Sequence, residues 1–328
     1  MVKMMNNILE AISSEQIIGI SGHIKPDGDC VGSTMALYCY LKQEFPEKQI
    51  DLYLEMIPNS FRFFSLTDEI KTREEMEGKL ENLPPYDVFI SLDCGSPDRL
   101  GFVEGVFEQA KRTINIDHHI SNVNFGDVNH VVPYASSTCE VLFDLFDESK
   151  LTNEIAEALY LGMVHDTGVF KYSNTSRHTM EIAGKLIERG IPFSAIIDET
   201  FYQKSYTQNL LIGRCVLDST MFLGGQVIAT HLEKATIEEY GADPDELEGI
   251  VDQLRITRGT DVAIFIHEMN DGEYKVSLRA NNRDVVDVSK IAVHFGGGGH
   301  VKAAGCTIKG TYKEIYDKLL EQIKLQLS

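Results

Sequence analysis

Histidine and aspartate recur in this sequence at spacings that suit metal binding. The run Ile114-Asn115-Ile116 predicts a buried strand, and Asp117, His118 and His119 follow at its end. One imidazole there could bind a metal while its neighbour faces a substrate, and the aspartate could orient a ring through the other ring nitrogen. A surface loop with two histidines is an equally good interpretation of this stretch alone.

Three further stretches carry similar groups at the ends of predicted elements. Their residues are His23, Asp27, Asp29, Asp93 and Asp166. The first three lie between a strand predicted at 17–21 and a helix predicted at 31–42. The fourth follows a strand predicted at 86–92, and the fifth ends a helix that begins near 153. Taken singly, an aspartate at such a point is usually an N-cap or turn residue.

Taken together, these imidazole and carboxylate groups, with no thiolate among them, predict a site for two divalent cations. Mn²⁺ suits such a ligand set, and Mg²⁺, Co²⁺ or Fe²⁺ also fit it. Two cations that share a carboxylate at a separation of roughly 3.5–4 Å activate a water nucleophile and hold a phosphoryl group for in-line attack. The alternative is a set of unrelated surface acids and histidines, which becomes a poor interpretation once all four stretches are considered.

The elements that must position these residues alternate between strands and helices. Strands followed by polar loops and helices predict an α/β domain with a parallel sheet, whose sites form beyond the carboxyl ends of the strands. We assign residues 1–191 to this domain, 192–217 to a linking helical segment and 218–328 to a smaller α/β domain. The smaller domain contains two predicted hairpins, at 220–232 and 262–280.

Several local features are predicted along these two domains. A polar loop is expected at 122–129, and Ser137 to Glu140 fits a capping box at a helix start. The pattern at 245–255 predicts one helix. Four histidines are assigned to structural or surface roles: His165, His178, His231 and His267.

The smaller domain offers groups that could bind an anion. Glycines 296–299 precede His300, and their unshielded N–H groups predict an anion-binding nest, although four glycines alone more often form a flexible loop. Arg279, at the end of a predicted strand, could bind a phosphate through two nitrogens or form a surface salt bridge. The two interpretations are equally good without further context, and Arg258 is a lesser candidate of the same kind.

Composition limits the classes of partner. The net charge is −20, whereas proteins that hold long nucleic acids usually carry a basic track. No apolar run approaches the length of a membrane span, and the first ten residues lack a signal-peptide pattern. The six cysteines are scattered without a CxxC pair, which predicts reduced thiols and a cytoplasmic location. Any nucleotide substrates are therefore expected to be short.

Four ordered motifs, GHIKPDGDCVGS, SLDCGS, NIDHH and HDTG, resemble those of the DHH phosphoesterase superfamily. A later stretch, SLRANNRDVVDVSKIAVHFGGGGHVKAAG, resembles the signature of the DHHA1 domain found in one branch. The resemblance covers almost the whole chain. The length and the two-domain plan look most like the NrnA type, which acts as an oligoribonuclease (nanoRNase) and as a phosphatase of 3′-phosphoadenosine 5′-phosphate (pAp).

The resemblance implies a role for each matching residue. The implied metal ligands are His23 and Asp27 for one ion, Asp29, His118 and Asp166 for the other, and Asp93 for both. Asp117 would orient a histidine ligand, and His119 would contact the scissile phosphate. The residues implied for binding the other phosphate or the terminal nucleotide are Arg279, Gly298, Gly299 and His300.

The implied activity is hydrolysis of RNA of about two to five nucleotides and of the 3′-phosphate of pAp, in a cleft between the domains. The resemblance also implies a homodimer, and the composition predicts that the protein binds neither membranes nor long duplexes. Alternatives are a phosphodiesterase for linear or cyclic dinucleotides (pApA, c-di-AMP) or a RecJ-like single-strand exonuclease. RecJ enzymes usually carry additional domains, and the cyclic-di-AMP enzymes usually carry membrane and sensor segments. A nucleotide sensor without turnover would be expected to have lost a metal ligand.

Overall fold

The computed structural model describes residues 12, 14, 16–270, 272–281 and 285–327, without the side chain at position 65. The N-terminal stretch used for the signal-peptide prediction lies outside these residues, as do Asp271 of the second hairpin turn and residues 282–284 of the DHHA1-like stretch. The chain divides into two compact units between residues 203 and 204. This division falls inside the segment assigned to the linker.

The first unit is built on a sheet whose six described strands are all parallel. They are β1 (Ile17–Ser21), β2 (Gln49–Leu54), β3 (Ile70–Thr72), β4 (Val88–Leu92), β5 (Arg112–Asp117) and β6 (Val128–Val131). Their spatial order is β3-β2-β1-β4-β5-β6, so the order reverses between β1 and β4. Ligands of open parallel sheets bind beyond the carboxyl ends of the strands at such a reversal. The predicted parallel α/β fold is confirmed.

The central strands are apolar because helices cover both faces of the sheet. Ile18, Ile20, Ile90, Ile114 and Ile116 are fully buried. The helices of this unit are α1 (Gly28–Glu44), α2 (Arg73–Met76), α3 (Glu104–Glu108), α4 (Thr138–Leu145), α5 (Asn153–Asp166), α6 (Arg177–Glu188) and α7 (Phe193–Ile197), followed by a π-helical turn at Asp198–Tyr202.

Glycines allow α1 and α5 to pack closely. A Cβ on Gly32 would lie 2.4 Å from the carbonyl oxygen of Ala158, and one on Gly162 would lie 2.5 Å from a carboxylate oxygen of Asp29. Real Cβ atoms do not approach other atoms so closely, so only glycine fits at these two points. The close packing brings Asp29, near the start of α1, to the end of α5 where Asp166 lies.

The prediction of a polar loop over 122–129 is wrong at its end, because β6 begins at Val128 and pairs with β5. All four residues of β6 are only half-buried, because β6 is an edge strand. Its polar residues Asn129 and His130 made the sequence look like a loop.

The predicted capping box at the start of α4 forms only in part. The Ser137 hydroxyl accepts a hydrogen bond from the Glu140 N–H at 3.0 Å. The Glu140 carboxylate does not return to the N-cap backbone but accepts from the hydroxyls of Ser136 and Thr179, each at 2.6 Å. Because Thr179 belongs to α6, this buried carboxylate ties α4 to α6.

The second unit contains a mixed sheet of six described strands in the order β11-β12-β10-β9-β8-β7. They are β7 (Thr220–Phe222), β8 (Val227–Leu232), β9 (Val262–Asn270), β10 (Glu273–Ala280), β11 (Gly298–His300) and β12 (Ala303–Lys309). Only β8 and β9 pair in parallel among them. The helices are α8 (Tyr206–Leu217), α9 (Lys234–Glu239), α10 (Ile250–Arg255), α11 (Val288–His294) and α12 (Tyr312–Leu327).

Both faces of this second sheet are covered. Ile264 and Ile266 of β9 pack in a core with α11 and α12, whereas Ala263 and Phe265 pack in another with α8 and α10. The alternation follows from the two-residue period of a strand. The smaller C-terminal α/β domain is thereby confirmed. Among the described residues, no helix has the length and apolar character needed to cross a lipid bilayer.

One local prediction in the second unit is wrong. The helix predicted at 245–255 is broken, because Pro244–Leu247 form a 3₁₀ turn and Gly249 has a left-handed backbone (φ 79°) before α10 begins. The glycine run ends in a strand rather than a flexible loop, because Gly298 to His300 form β11, an edge strand antiparallel to β12. Anion binding by its N–H groups stays a prediction.

Candidate metal centre

Asp93 lies at the end of β4, where the order of the strands reverses. Its φ of 54° is left-handed, a conformation that L-residues adopt rarely and that clusters at functional sites. The side chain is buried, and its two oxygens face different histidines. Oδ2 lies 3.4 Å from Nε2 of His23, and Oδ1 lies 3.6 Å from Nε2 of His118. One carboxylate is thus within reach of two imidazoles.

His23, Asp27 and Asp93 form the first group of candidate ligands, with one ligand atom from each lying within 4.8 Å of the others. His23 follows β1, and its Nδ1 lies 2.7 Å from the carbonyl oxygen of Ile24. A proton on Nδ1 leaves the lone pair of Nε2 free to bind a metal. Asp27 is the N-cap of α1, and its Oδ1 lies 3.7 Å from Nε2 of His23.

Asp29, His118 and Asp166 form the second group, again with one ligand atom each within 4.8 Å of the others. Nε2 of His118 lies 3.2 Å from Asp166 Oδ2 and 3.8 Å from Asp29 Oδ2. Its Nδ1 lies 3.3 Å from the carbonyl oxygen of Ala135, which again leaves Nε2 for a metal. The structure therefore brings all six predicted ligands together in two groups around Asp93.

The start of α4 holds two of these carboxylates, a contribution that sequence reasoning missed. The N–H of Thr138 donates to Asp29 Oδ2 at 2.6 Å, and the N–H of Cys139 donates to Oδ1 at 3.0 Å. The Thr138 hydroxyl donates to Asp93 Oδ1 at 3.1 Å. A helix N-terminus stabilises negative charge. The only signal in the sequence was the polar pair Ser137-Thr138 at the start of α4, which was assigned to capping alone.

The pKa values reflect excess negative charge in this site. Burial, followed by the charge of Asp93, raises the pKa of Asp29. Burial, followed by the charge of Asp29, raises the pKa of Asp166 well above its usual value. Burial lowers the pKa of His23, but its hydrogen bonds to Asp27 and Asp93 outweigh this and raise it to about 10. Buried carboxylates that repel one another are stabilised by bound cations, so divalent metal ions fit this set of oxygen and imidazole donors.

His119 is oriented by Asp117. Its Nδ1 lies 2.7 Å from Oδ1 of the fully buried Asp117, and this hydrogen bond raises the pKa of His119. Asp117 was expected to orient a histidine ligand of the metal, but its hydrogen bond with His118 involves the backbone N–H, at 2.8 Å, and not the ring. The ring of His118 is held instead by the Ala135 carbonyl. The Asp117 carboxylate therefore orients His119, the histidine that is expected to contact the scissile phosphate.

The predicted anion-binding residues all lie in the second unit. Nε of Arg279 lies 3.2 Å from Oδ1 of Asp252, which also lies 3.3 Å from Nε of Arg255. The salt bridge considered for Arg279 is thus formed, and the arginine stays half-buried beside it. Arg258 is exposed between α10 and β9, and Gly298, Gly299 and His300 are exposed along β11. Their part in substrate binding stays a prediction.

Comparison with known protein families finds matches in both units. Residues 17–163 match the N-terminal domain of the DHH family, and residues 224–328 match the DHHA1 domain. The first match contains the six candidate ligands except Asp166, which lies three residues beyond its end. The second match covers the whole mixed sheet except β7.

Similar proteins span the whole chain. A Thermus thermophilus protein named bifunctional oligoribonuclease and PAP phosphatase NrnA is 32% identical over 100% of this chain and 94% of its own length. An exopolyphosphatase-related protein from Bacteroides fragilis has a TM-score of 0.89 at 24% identity, covering 99% of this chain and 98% of that one. Exonuclease RecJ bound to manganese has a TM-score of 0.52 at 12% identity, over 99% and 94% of the two chains. These two structures share the fold.

Proposed function

The chain belongs to the DHH family, as its motifs indicated, and we propose that it is a metal-dependent hydrolase of very short RNA and of the 3′-phosphate of pAp. The observation that carries the proposal is the position of Asp93, which belongs to one group of three candidate ligands and lies 3.6 Å from His118 of the other group. The name of the T. thermophilus relative, which is similar over the full length, supports the substrate class.

The proposed cofactors are two divalent cations, Mn²⁺ before Mg²⁺, Co²⁺ or Fe²⁺. His23, Asp27 and Asp93 would hold one ion, and Asp29, His118 and Asp166, with Asp93, would hold the other. When bound, the ions lower the pKa of an attacking water and offset charge on the phosphoryl oxygens. The oxygen and imidazole donors support this choice, as does the manganese that RecJ binds.

The chain's own residues would act around the phosphate. His119 is fixed at Nδ1 by Asp117, so its other nitrogen is free to donate a proton or a hydrogen bond. When the ring is protonated, both nitrogens carry hydrogen, so Nε2 can donate while Nδ1 stays bonded to Asp117. His119 would then stabilise charge on the phosphate or protonate the leaving oxygen, the usual work of a general acid.

The remaining assignments concern the substrate's other end and the protein's setting. Arg279, Gly298, Gly299 and His300, with Arg258 as a lesser contributor, would bind a second phosphate or the terminal nucleotide. The net charge of −20 favours short substrates over long strands. A homodimer and a cytoplasmic location also remain proposals.

Replacing Arg279 tests the substrate assignment. Arg279→Ala is expected to lower kcat/KM for a dinucleotide about 10- to 100-fold, because a charge-assisted hydrogen bond contributes roughly 1.5–3 kcal/mol. Arg214→Ala is the matched control, since Arg214 is an exposed arginine of the same unit that pairs with Asp218. The measurement is steady-state kinetics. If both variants had the same kcat/KM as the unaltered protein, Arg279 would not belong to the substrate site.

The proposed function is tested by the products that the protein forms with Mn²⁺. pAp, the dinucleotide pApA, c-di-AMP and an RNA of about 24 nucleotides are incubated separately and analysed by chromatography. We expect AMP from pAp and pApA, with the long RNA nearly intact, because a strongly acidic protein repels long strands. Rapid digestion of the long RNA would indicate a RecJ-like exonuclease. Preference for c-di-AMP would indicate a cyclic-dinucleotide phosphodiesterase, and tight binding without products would indicate a sensor.

A further inference from the structure

A cluster of side-chain amides lies behind Asp117, on the side away from His119. Nδ2 of Asn122 lies 2.5 Å from Asp117 Oδ2, 2.8 Å from Asn115 Oδ1 and 3.2 Å from the carbonyl oxygen of Cys94. The other oxygen of Asp117 already accepts from the ring of His119 and the backbone of His118. Asn122 is therefore the side chain that holds the far oxygen of this buried carboxylate.

The orientation of the Asn122 amide is fixed by the backbone. The side-chain Oδ1 of Asn122 accepts a hydrogen bond from the backbone N–H of Asn124 at 2.7 Å. The backbone N–H of Asn122 donates to the carbonyl oxygen of His119 at 3.1 Å. A backbone N–H can only donate, so the amide oxygen must face Asn124. The amino group then has to face the Asp117 carboxylate.

Asn115 anchors this cluster in the sheet. It is fully buried in β5, two residues before Asp117 and on the same face of the strand. Its Nδ2 donates to the Ser91 hydroxyl at 2.9 Å and to the Cys94 carbonyl at 3.1 Å. A buried amide is costly unless its groups are bonded, and here they connect β5 to Ser91 of β4 and to Cys94, the residue after Asp93.

We propose that Asn122 is a positioning residue that acts through Asp117 and His119. By holding Oδ2, it keeps Oδ1 of Asp117 aimed at Nδ1 of His119, so the ring presents its other nitrogen to the phosphate. Without Asn122, the carboxylate loses its only described side-chain partner on Oδ2 and can rotate. This inference rests on the proposed function, because it concerns the reaction that His119 serves.

A double-mutant cycle tests the inference. Asn122→Ala is expected to lower kcat for pApA with Mn²⁺ about 10- to 100-fold, the usual effect of removing a group that orients an active-site residue, with little change in KM. In the His119→Ala background the same substitution is expected to change kcat less than about 2-fold, because its effect requires His119. An equal loss in both backgrounds would mean a general structural role and would overturn the inference.

Two further variants sharpen the cycle. Asn129→Ala is the matched control, because Asn129 is another half-buried asparagine, and among the described residues its side chain bonds only the backbone of Gly126. The kcat of this variant should equal that of the unaltered protein. Asn122→Asp keeps the shape but turns a donor into a carboxylate facing Asp117, so kcat should fall at least as far as in Asn122→Ala. Unaltered kcat in Asn122→Asp, with a normal thermal transition, would overturn the inference.

The failure of the inference differs from that of the proposed function. If the unaltered protein hydrolyses none of the nucleotides, the proposed function fails and the inference fails with it. If the unaltered protein hydrolyses pApA but Asn122→Ala costs the same factor with and without His119, only the inference fails.

Discussion

Asp93→Asn is expected to lower kcat for nucleotide hydrolysis by about 10³-fold or more, with loss of at least one bound cation. Asparagine keeps the shape of aspartate but has only one side-chain oxygen and no charge. It therefore cannot bind one cation beside His23 and a second beside His118. Loss of a single charge-stabilising group at a reaction centre already costs about 10²–10³ in rate. Asp93 belongs to the first candidate group and also lies 3.6 Å from His118 of the second. The measurements are single-turnover kinetics and calorimetric titration with Mn²⁺.

Asp98→Asn is the control for this substitution. Asp98 is exposed five residues further along and belongs to none of the candidate metal groups among the described residues. The control makes the same change of charge and should keep both activity and cation number. If Asp93→Asn bound two cations and retained its rate within about 10-fold, Asp93 would not be a shared ligand.

The second large effect is expected at His119. His119→Ala should lower kcat about 10²- to 10⁴-fold, the range for a positioned acid or base, while the number of bound Mn²⁺ ions stays the same. The number of bound ions is informative, because Asp93, His118 and His119 also have ligand atoms within 4.8 Å of one another. Loss of a cation in this variant would make His119 a metal ligand and contradict its assignment to the phosphate.

His178→Ala is the matched control for the histidine substitution. His178 is an exposed histidine of the same unit that pairs with Asp144 at 2.9 Å. It was assigned to the surface, and its replacement should leave kcat unchanged. A comparable loss of rate in both variants would mean that removing any histidine from this unit impairs it.

The positions of the candidate ligands could be predicted because each depends on local sequence. A short apolar run predicts a strand, and the polar residue after it must then lie at the carboxyl edge of the sheet. His23, Asp93 and His118 follow β1, β4 and β5 in this way. Because these three strands are neighbours, the residues meet.

The features that sequence reasoning missed depend on contacts between distant residues. Thr138 is 45 residues from Asp93 in the chain, so its hydrogen bond follows only from the packed fold. Which histidine Asp117 orients could not be predicted, because adjacent histidines point their rings in different directions and only the folded structure shows which ring meets the carboxylate. The last two glycines of the run, Gly298 and Gly299, pair with β12 as part of β11, which composition does not reveal.

The measurement that tests the central claim most directly is anomalous X-ray scattering from crystals of this protein grown with Mn²⁺. We expect two manganese peaks, roughly 3.5–4 Å apart, one contacted by His23 and Asp27, the other by Asp29, His118 and Asp166, with Asp93 touching both. A single peak, or two peaks that do not share Asp93, would contradict the account of a bridged di-metal phosphoesterase.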